Sequence, residues 1–116
     1  MNRENKNYEQ AKQPDFKYMV VAPAGLMNQS IVIAASRAGA LGILDLEYVR
    51  DAKEARDGLQ NVADHASSDW GIKLDGYAFF FWSELLAELP KQVRTVILTY
   101  CDKQSLESQV KVLRQK

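Results

Sequence analysis

The chain has 116 residues, 47% hydrophobic and 26% charged, which is enough to bury the core of one globular domain. Its 15 basic and 15 acidic side chains cancel, and no apolar run approaches the ~20 residues of a membrane helix, so neither nucleic acid nor a membrane is a predicted partner. The single cysteine, Cys101, excludes an internal disulfide framework and favours a reducing cytoplasm.

Residues 1–15 differ in composition from the rest of the chain, because they are mostly polar and charged. Such a segment cannot bury enough apolar surface to offset the entropy lost on ordering. We therefore predict a mobile polar tail over residues 1–15, followed by one domain over residues 16–116.

The next stretch predicts a complete strand–helix–strand unit. Tyr18–Val21 is a short apolar run without helical period, and Ala22–Gly25 ends it, as expected for a buried strand. Asn28 is placed to cap a helix, and Gly39 to end it in the left-handed conformation. Ile43, Leu44 and Leu46 then predict a second strand. The predicted buried face of the helix comprises Ile31, Ala34, Ala35 and Ala38.

The same alternation continues to the end of the chain. An aromatic run, Tyr77–Trp82, interrupts it after the third strand, and we interpret this run as packing surface in preference to a ligand wall. The remaining predicted elements are a helix over Glu47–Ala66, a strand over Trp70–Leu74, a helix over Ser83–Leu89, a strand over Val93–Tyr100, and a last helix capped by Asp102 or Ser105.

Four successive βα units predict an α/β fold with a parallel sheet and helices packed against it. Two architectures fit this pattern. One is an open flavodoxin-like sheet. The other is the N-terminal half of a TIM barrel, which needs eight such units and about 250 residues.

Two motifs in the first unit resemble a known family. The strand end Ala22-Pro23-Ala24-Gly25 and residues 34–42, AASRAGALG, are similar to the start of FMN-dependent nitronate monooxygenases, also called 2-nitropropane dioxygenases. That family includes enoyl reductases of fatty-acid synthesis and domains attached to polyketide synthases. Its usual pattern is Ala-Pro-Met after the strand and Ala-Gly-Gly-Leu-Gly after the helix, so Ala24 and Ala40 depart from it. The resemblance implies a TIM barrel, of which residues 17–116 would be the N-terminal half.

Ligands of parallel α/β folds bind at the carboxyl ends of the strands. The residues placed there are 22–25, 45–47, 73–76 and 99–102. The resemblance implies that Ala22, Pro23, Ala24 and Gly25 lie against the ring of FMN, although the same four residues also suit an ordinary turn.

Two further predicted cofactor-binding residues, Lys73 and Thr99, lie at the same edge of the sheet. Lys73 stands where the family has an Asn that contacts the flavin, and Thr99 ends the fourth strand. The Lys73 amine would either bind the flavin or lie in water.

The family's phosphate-binding loops and its catalytic His, in an Ala-Gly-Gly-His motif, lie downstream of the region matched here. We therefore expect no catalytic residue in this chain, and no metal site, because His65 is the sole histidine and suits a helix C-terminus. The resulting hypothesis is that the chain is the N-terminal part of an oxidoreductase that acts on a nitronate or an enoyl-thioester. Alone, it would be inactive and would bind FMN weakly or not at all. It would either self-associate or be completed by a C-terminal half. The alternative is a non-catalytic binding or assembly module of a synthase complex.

Overall fold

The computed structural model describes residues 18–24, 27–75, 83–99 and 103–115. Strands and helices alternate throughout this part of the chain, as the sequence predicts. No helix within these residues is long and apolar enough to cross a membrane. The elements are β1 (Met19–Val21), α1 (Gln29–Arg37), β2 (Leu41–Asp45), α2 (Ala52–His65), β3 (Trp70–Asp75), α3 (Ser83–Ala87), β4 (Val93–Thr99) and α4 (Lys103–Arg114).

All four described strands form one parallel sheet in the order β1-β2-β3-β4. The predicted parallel α/β class is therefore confirmed. A flavodoxin-like sheet would place the first strand between the second and the third, whereas here β2 pairs directly with β3. In a TIM barrel, as here, each strand pairs with the next strand along the chain.

Some predictions fall outside the described residues. They concern the polar tail over residues 1–15, Gly25 in the first loop, the aromatic run at residues 77–82, and Cys101.

Helix α1 begins and ends where its local signals predict, but it buries a different face. The Asn28 side chain accepts a hydrogen bond from the Ile31 backbone N–H, and Gly39 has φ +85°, in the left-handed region. The buried residues are Val32, Ala35 and Ser36, so the predicted face was wrong by one residue in phase, with Ala34 and Ala38 exposed.

The phase of α1 depends on its contact with β2. A Cβ atom on Gly42 would lie 2.7 Å from the backbone oxygen of Val32 and 3.0 Å from its Cγ1 atom. Gly42 therefore lets the helix backbone approach the strand closely, which turns Val32 toward the sheet. The second glycine of the Ala-Gly-Ala-Leu-Gly motif thus has a packing role in this chain.

Helix α2 begins five residues later than predicted, at Ala52 instead of Glu47. Asp51 is its N-cap, and the Asp51 carboxylate accepts hydrogen bonds from the backbone N–H groups of Lys53 and Glu54. Residues 46–49 form a turn in which Tyr48 has φ +66°, a conformation that no helix can contain.

The two faces of the sheet differ in character because successive side chains on a strand point in opposite directions. Leu44 and Ile72 are fully buried on the face covered by helices, together with apolar side chains of α1 and α2. Asp45 and Lys73 are register partners and therefore share the opposite face. The core on the helix side comprises mainly Val32, Leu44, Leu46, Ala55, Leu59, Val62, Trp70, Ile72, Leu74, Leu85 and Leu86.

Candidate functional site

Charged and polar side chains from three neighbouring strands meet at the carboxyl edge of the sheet. The Lys73 ammonium lies 2.8 Å from Oε1 of Glu47, and the Thr99 hydroxyl donates to Oε2 of the same carboxylate at 2.9 Å. Glu47 therefore links the end of β3 to the end of β4. Its side chain is only 4% exposed, whereas that of Lys73 is 25% exposed, so the lysine is the part of this pair that a ligand can reach.

Asp45 is the fourth member of this group of side chains. Its Oδ1 atom accepts the backbone N–H of Glu47 at 2.8 Å, and its Oδ2 atom lies 3.7 Å from the Lys73 ammonium. Because the first hydrogen bond spans only two residues, it forms a tight turn after β2, and this turn directs the Glu47 side chain back over the sheet. The second contact exceeds hydrogen-bonding distance, so Asp45 acts on Lys73 through its charge. We call Asp45, Glu47, Lys73 and Thr99 the edge cluster.

The edge cluster shifts the pKa values of its own members. Burial raises the pKa of Asp45, and the neighbouring charge of Glu47 adds to the rise. Burial also acts to raise the pKa of Glu47, but hydrogen bonds from Lys73 and Thr99 outweigh it and hold that pKa below its usual value. The hydrogen bond to Glu47 raises the pKa of Lys73. Lys73 and Glu47 are therefore both charged at neutral pH.

This arrangement limits what Lys73 can do chemically. A lysine that acts as a nucleophile or forms a Schiff base needs a lowered pKa, so a raised one excludes that role at neutral pH. An ammonium has three N–H donors. Of the two carboxylates in the edge cluster, only that of Glu47 lies within hydrogen-bonding distance of the Lys73 ammonium. A cation that is held in place by a carboxylate and is a quarter exposed is suited to stabilise negative charge on a bound molecule.

The predicted cofactor-binding residues are partly brought together. Parallel pairing places Pro23, Lys73 and Thr99 on the same edge of one sheet, as expected. Lys73 and Thr99 both contact Glu47, so the Lys73 amine is bound to a carboxylate. From the sequence, this amine was expected either to bind the flavin or to lie in water.

The first loop was predicted to lie against a ring. The backbone N–H of Ala22 donates to the Ile43 carbonyl at 3.0 Å, which extends the ladder beyond β1, and Ala22 is buried. Pro23 and Ala24 are exposed at the edge. Two small exposed residues leave backbone accessible to a flat molecule, and Gly25 lies outside the described residues.

The two carboxylates that hold Lys73 were predicted only by position. Asp45 and Glu47 were both placed at the ligand-binding strand ends, but neither received a specific role, and Glu47 was also assigned to the start of a helix. A usable signal was present: acids at alternate positions directly follow the buried run of β2, and a lysine ends β3. Because both ends lie on one edge, opposite charges there are expected to pair.

A second ion pair lies beside the edge cluster. The Arg50 guanidinium lies 3.6 Å from Oδ2 of Asp75, the residue that ends β3, and also donates to the Val49 carbonyl. Asp75 is register partner to Thr99 and lies two residues beyond Lys73. The edge therefore presents a second cation, whose side chain is 52% exposed.

A groove of about 750 Å³ lies elsewhere, between α3, β4 and α4. Its floor is apolar and includes Leu86, Val96 and Leu98, on the helix-covered face of the sheet. Helix α3 has five residues, against nine and 14 in α1 and α2, so it covers less of the sheet. We interpret this groove as packing surface, because ligands of parallel sheets bind at the strand ends.

His65 has the structural role that was predicted for it. It is the last residue of α2, and its Nδ1 atom lies 2.8 Å from the Asn61 carbonyl oxygen in the final turn of that helix. In the described ranges, no group of three or more His, Cys, Asp or Glu residues is arranged to hold a metal ion.

No protein-family model, curated protein or solved structure matches this chain. The resemblance to nitronate monooxygenases therefore stays a prediction that depends on residues 22–25 and 34–42.

Proposed function

We propose that this chain supplies the flavin-facing strand ends of an FMN-dependent oxidoreductase that resembles nitronate monooxygenases, as the N-terminal half of its TIM barrel. The main support is the Lys73 ammonium, which Glu47 holds at the carboxyl edge while a quarter of the side chain stays exposed. The substrate is a nitronate or an enoyl-thioester, and the compartment is the cytoplasm. When bound, FMN supplies the electron transfer, which no side chain of the edge cluster can perform.

The edge suits the ring of FMN better than its phosphate. Pro23 and Ala24 are small and exposed, so they permit close approach of a flat ring, and Lys73 offers N–H donors to a carbonyl oxygen. A phosphate group needs a nest of backbone N–H groups, and the sequence has no glycine-rich loop of that kind. The chain therefore contributes ring contacts, and the phosphate site and catalytic His belong to the other half.

The second candidate is a non-catalytic binding or assembly module of a synthase complex. It is favoured by the outer strand β1, in which the residues Met19 and Val21 are 54% and 41% exposed. An apolar strand at the sheet edge is a template for association with another chain. Such a module would use β1 and leave the edge cluster without a ligand.

Titration of FMN into the isotope-labelled chain, followed by amide chemical shifts, tests the proposal. Ring contacts alone must offset an association cost of about 4–15 kcal/mol, so we expect millimolar affinity and no oxidase or reductase activity. The shifts should concentrate at residues 22–24, 45–47 and 73. They should weaken in Lys73→Met and persist in Lys53→Met, because the Lys53–Asp57 pair is exposed on α2.

The outcomes separate the candidates. Shifts confined to β1, or no shifts at the carboxyl edge, would overturn flavin contact and favour the assembly module. Tight one-to-one binding would show that the phosphate site is already complete in these residues, and the half-barrel interpretation would then be abandoned.

A further inference from the structure

The groove between α3, β4 and α4 is lined by two kinds of side chain. Nine of its 12 lining residues are apolar, and the other three are the cations Lys91, Arg94 and Arg114. Among the described residues, no acidic side chain lines it. Glu88, which lies between two lining residues in the sequence, pairs instead with Arg56 of α2 at 3.8 Å. The position of the groove away from the strand ends favours packing, but packing of apolar side chains does not require three charges of one sign.

The apolar floor of the groove is less covered than the rest of the core. Leu44, Ile72 and Leu74 on β2 and β3 are fully buried, whereas Val96 and Leu98 on the helix side of β4 are only half-buried. The five residues of α3 cover less of the sheet than the 14 residues of α2. The space left, about 750 Å³, lies within the range of small-molecule sites, about 300–1,000 Å³.

The three cations stand at one end of the groove. Lys91 and Arg94 flank the first residue of β4, and Arg114 is the last residue of α4. Because α4 begins after the end of β4 and Arg114 lines the groove with Arg94, the helix returns to the level where the strand begins. Alternation along β4 puts Arg94, Val96 and Leu98 on one face. The lining therefore changes from cationic at the start of β4 to apolar at Leu98.

These cations are accessible to a ligand. The Arg94 guanidinium lies 3.9 Å from Oδ2 of Asp69, but the two side chains are 74% and 57% exposed, and exposed pairs contribute little. Lys91 and Arg114 are exposed and form no ion pair with another residue of the described part of the chain. The carbonyl groups at the end of α4 disfavour an anion beside them, so binding depends on the three full positive charges.

A groove with an apolar length and a cationic end is complementary to a molecule of the same form and opposite charge. Burial of an alkyl chain would cover the half-buried floor, and Arg binds a carboxylate through two parallel hydrogen bonds. An amphipathic helix also binds apolar grooves, but its charges flank its apolar stripe along the whole length. The collection of charge at one end favours the alkyl chain.

We propose that this groove binds a single alkyl chain that ends in a carboxylate, with the chain over Val96 and Leu98 and the carboxylate at Arg94 and Arg114. Lys91 contributes a third charge at the same end. The site goes beyond the proposed function and does not rest on it, because its cations lie where β4 begins and the edge cluster lies where the strands end. Failure of either proposal would leave the other standing.

The test uses decanoate, decyltrimethylammonium and acetate as probes of the isotope-labelled full chain. The first two have similar alkyl chains and opposite charges, whereas acetate has the carboxylate without the chain. Amide chemical shifts measure where and how tightly each probe binds at concentrations below micelle formation. Thermal unfolding of each variant and each complex accompanies the titrations.

The variants Arg94→Met, Arg114→Met and their combination remove charge from the cationic end. Lys111→Met is the matched control, because Lys111 is an exposed cation of α4, three residues before Arg114, that does not line the groove. All of these positions are exposed, so each variant should keep the Tm of the parent chain.

We expect decanoate to shift the amides of residues 86–98 and 110–114. Decyltrimethylammonium should bind about tenfold more weakly because its charge is repelled at the cationic end, and acetate should cause no shifts. Each single Arg→Met substitution should weaken decanoate binding about threefold, and the double variant about tenfold, since each exposed charge contributes little alone. Lys111→Met should bind decanoate as the parent chain does.

Three results would overturn the proposal. Equal binding of decanoate and decyltrimethylammonium, or full binding by the double variant, would show an apolar surface without charge selection. Absence of groove shifts with decanoate, or shifts over the whole chain with a fall in Tm, would show no site or a detergent effect. Groove shifts that grow with protein concentration before any probe is added would show that a second copy covers the groove.

Discussion

Replacing Lys73 by Met removes a cation that lies beside both Glu47 and Asp45 and keeps a side chain of similar length. Removal of one partner from a fully buried ion pair costs about 3–5 kcal/mol, because a buried charge is left without compensation. Exposed pairs contribute about 0–1 kcal/mol. Lys73 lies between these limits, since its side chain is 25% exposed while that of Glu47 is 4% exposed. We therefore expect the free energy of unfolding to fall by about 2 kcal/mol.

Urea denaturation at neutral pH measures this change as a lower midpoint with an unchanged slope. The double variant Lys73→Met/Glu47→Gln assigns the loss to the pair. Gln keeps an oxygen that accepts the Thr99 hydroxyl but carries no charge, so the double variant should lose about 1–2 kcal/mol less than the sum of the single variants.

Lys53→Met is the matched control. Its ammonium lies 2.9 Å from Asp57, nearly the same distance as in the Lys73–Glu47 pair, but the two side chains are 84% and 67% exposed. Its unfolding midpoint should equal that of the parent chain within error. If the two lysine variants shifted the midpoint equally, burial of the edge cluster would not be the cause, and the reasoning would be refuted.

Three other predictions follow from the same structure. Gly42→Ala should destabilise by about 1–3 kcal/mol in urea, because its Cβ meets the Val32 backbone at 2.7 Å; an unchanged midpoint would contradict the close packing of α1 on β2. The pKa of Lys73 is raised above 10.5 in the fold, so its contribution is present below pH 10.5 and lost as pH rises through the folded value. The stability difference between the parent and Lys73→Met should therefore shrink above that pH, and a constant difference would speak against the ion pair. The chain should dimerise or aggregate through its exposed edge strand, and Val21→Lys should reduce this in light scattering; a monodisperse parent at high concentration would argue for a closed edge.

Local signals in the sequence determined much of the fold. The cap at Asn28, the left-handed Gly39 and the apolar run of β4 act within a few residues, so they can be recognised without any knowledge of tertiary contacts. The alternation of strands and helices implied a parallel sheet, and a parallel sheet places its strand ends on one edge. The shared edge of Lys73 and Thr99 was therefore predictable from the sequence alone.

Only the tertiary structure decided the strand order, the phase of α1 and the partners of Lys73. The buried phase of α1 depends on where Gly42 admits the helix, and the late start of α2 depends on the turn that carries Tyr48. Glu47 bonds Thr99 across 52 positions of the chain, and no local pattern specifies a contact of that span. Sequence periodicity places residues at an edge, but the pairing of buried charges there depends on distances that the packed sheet alone creates.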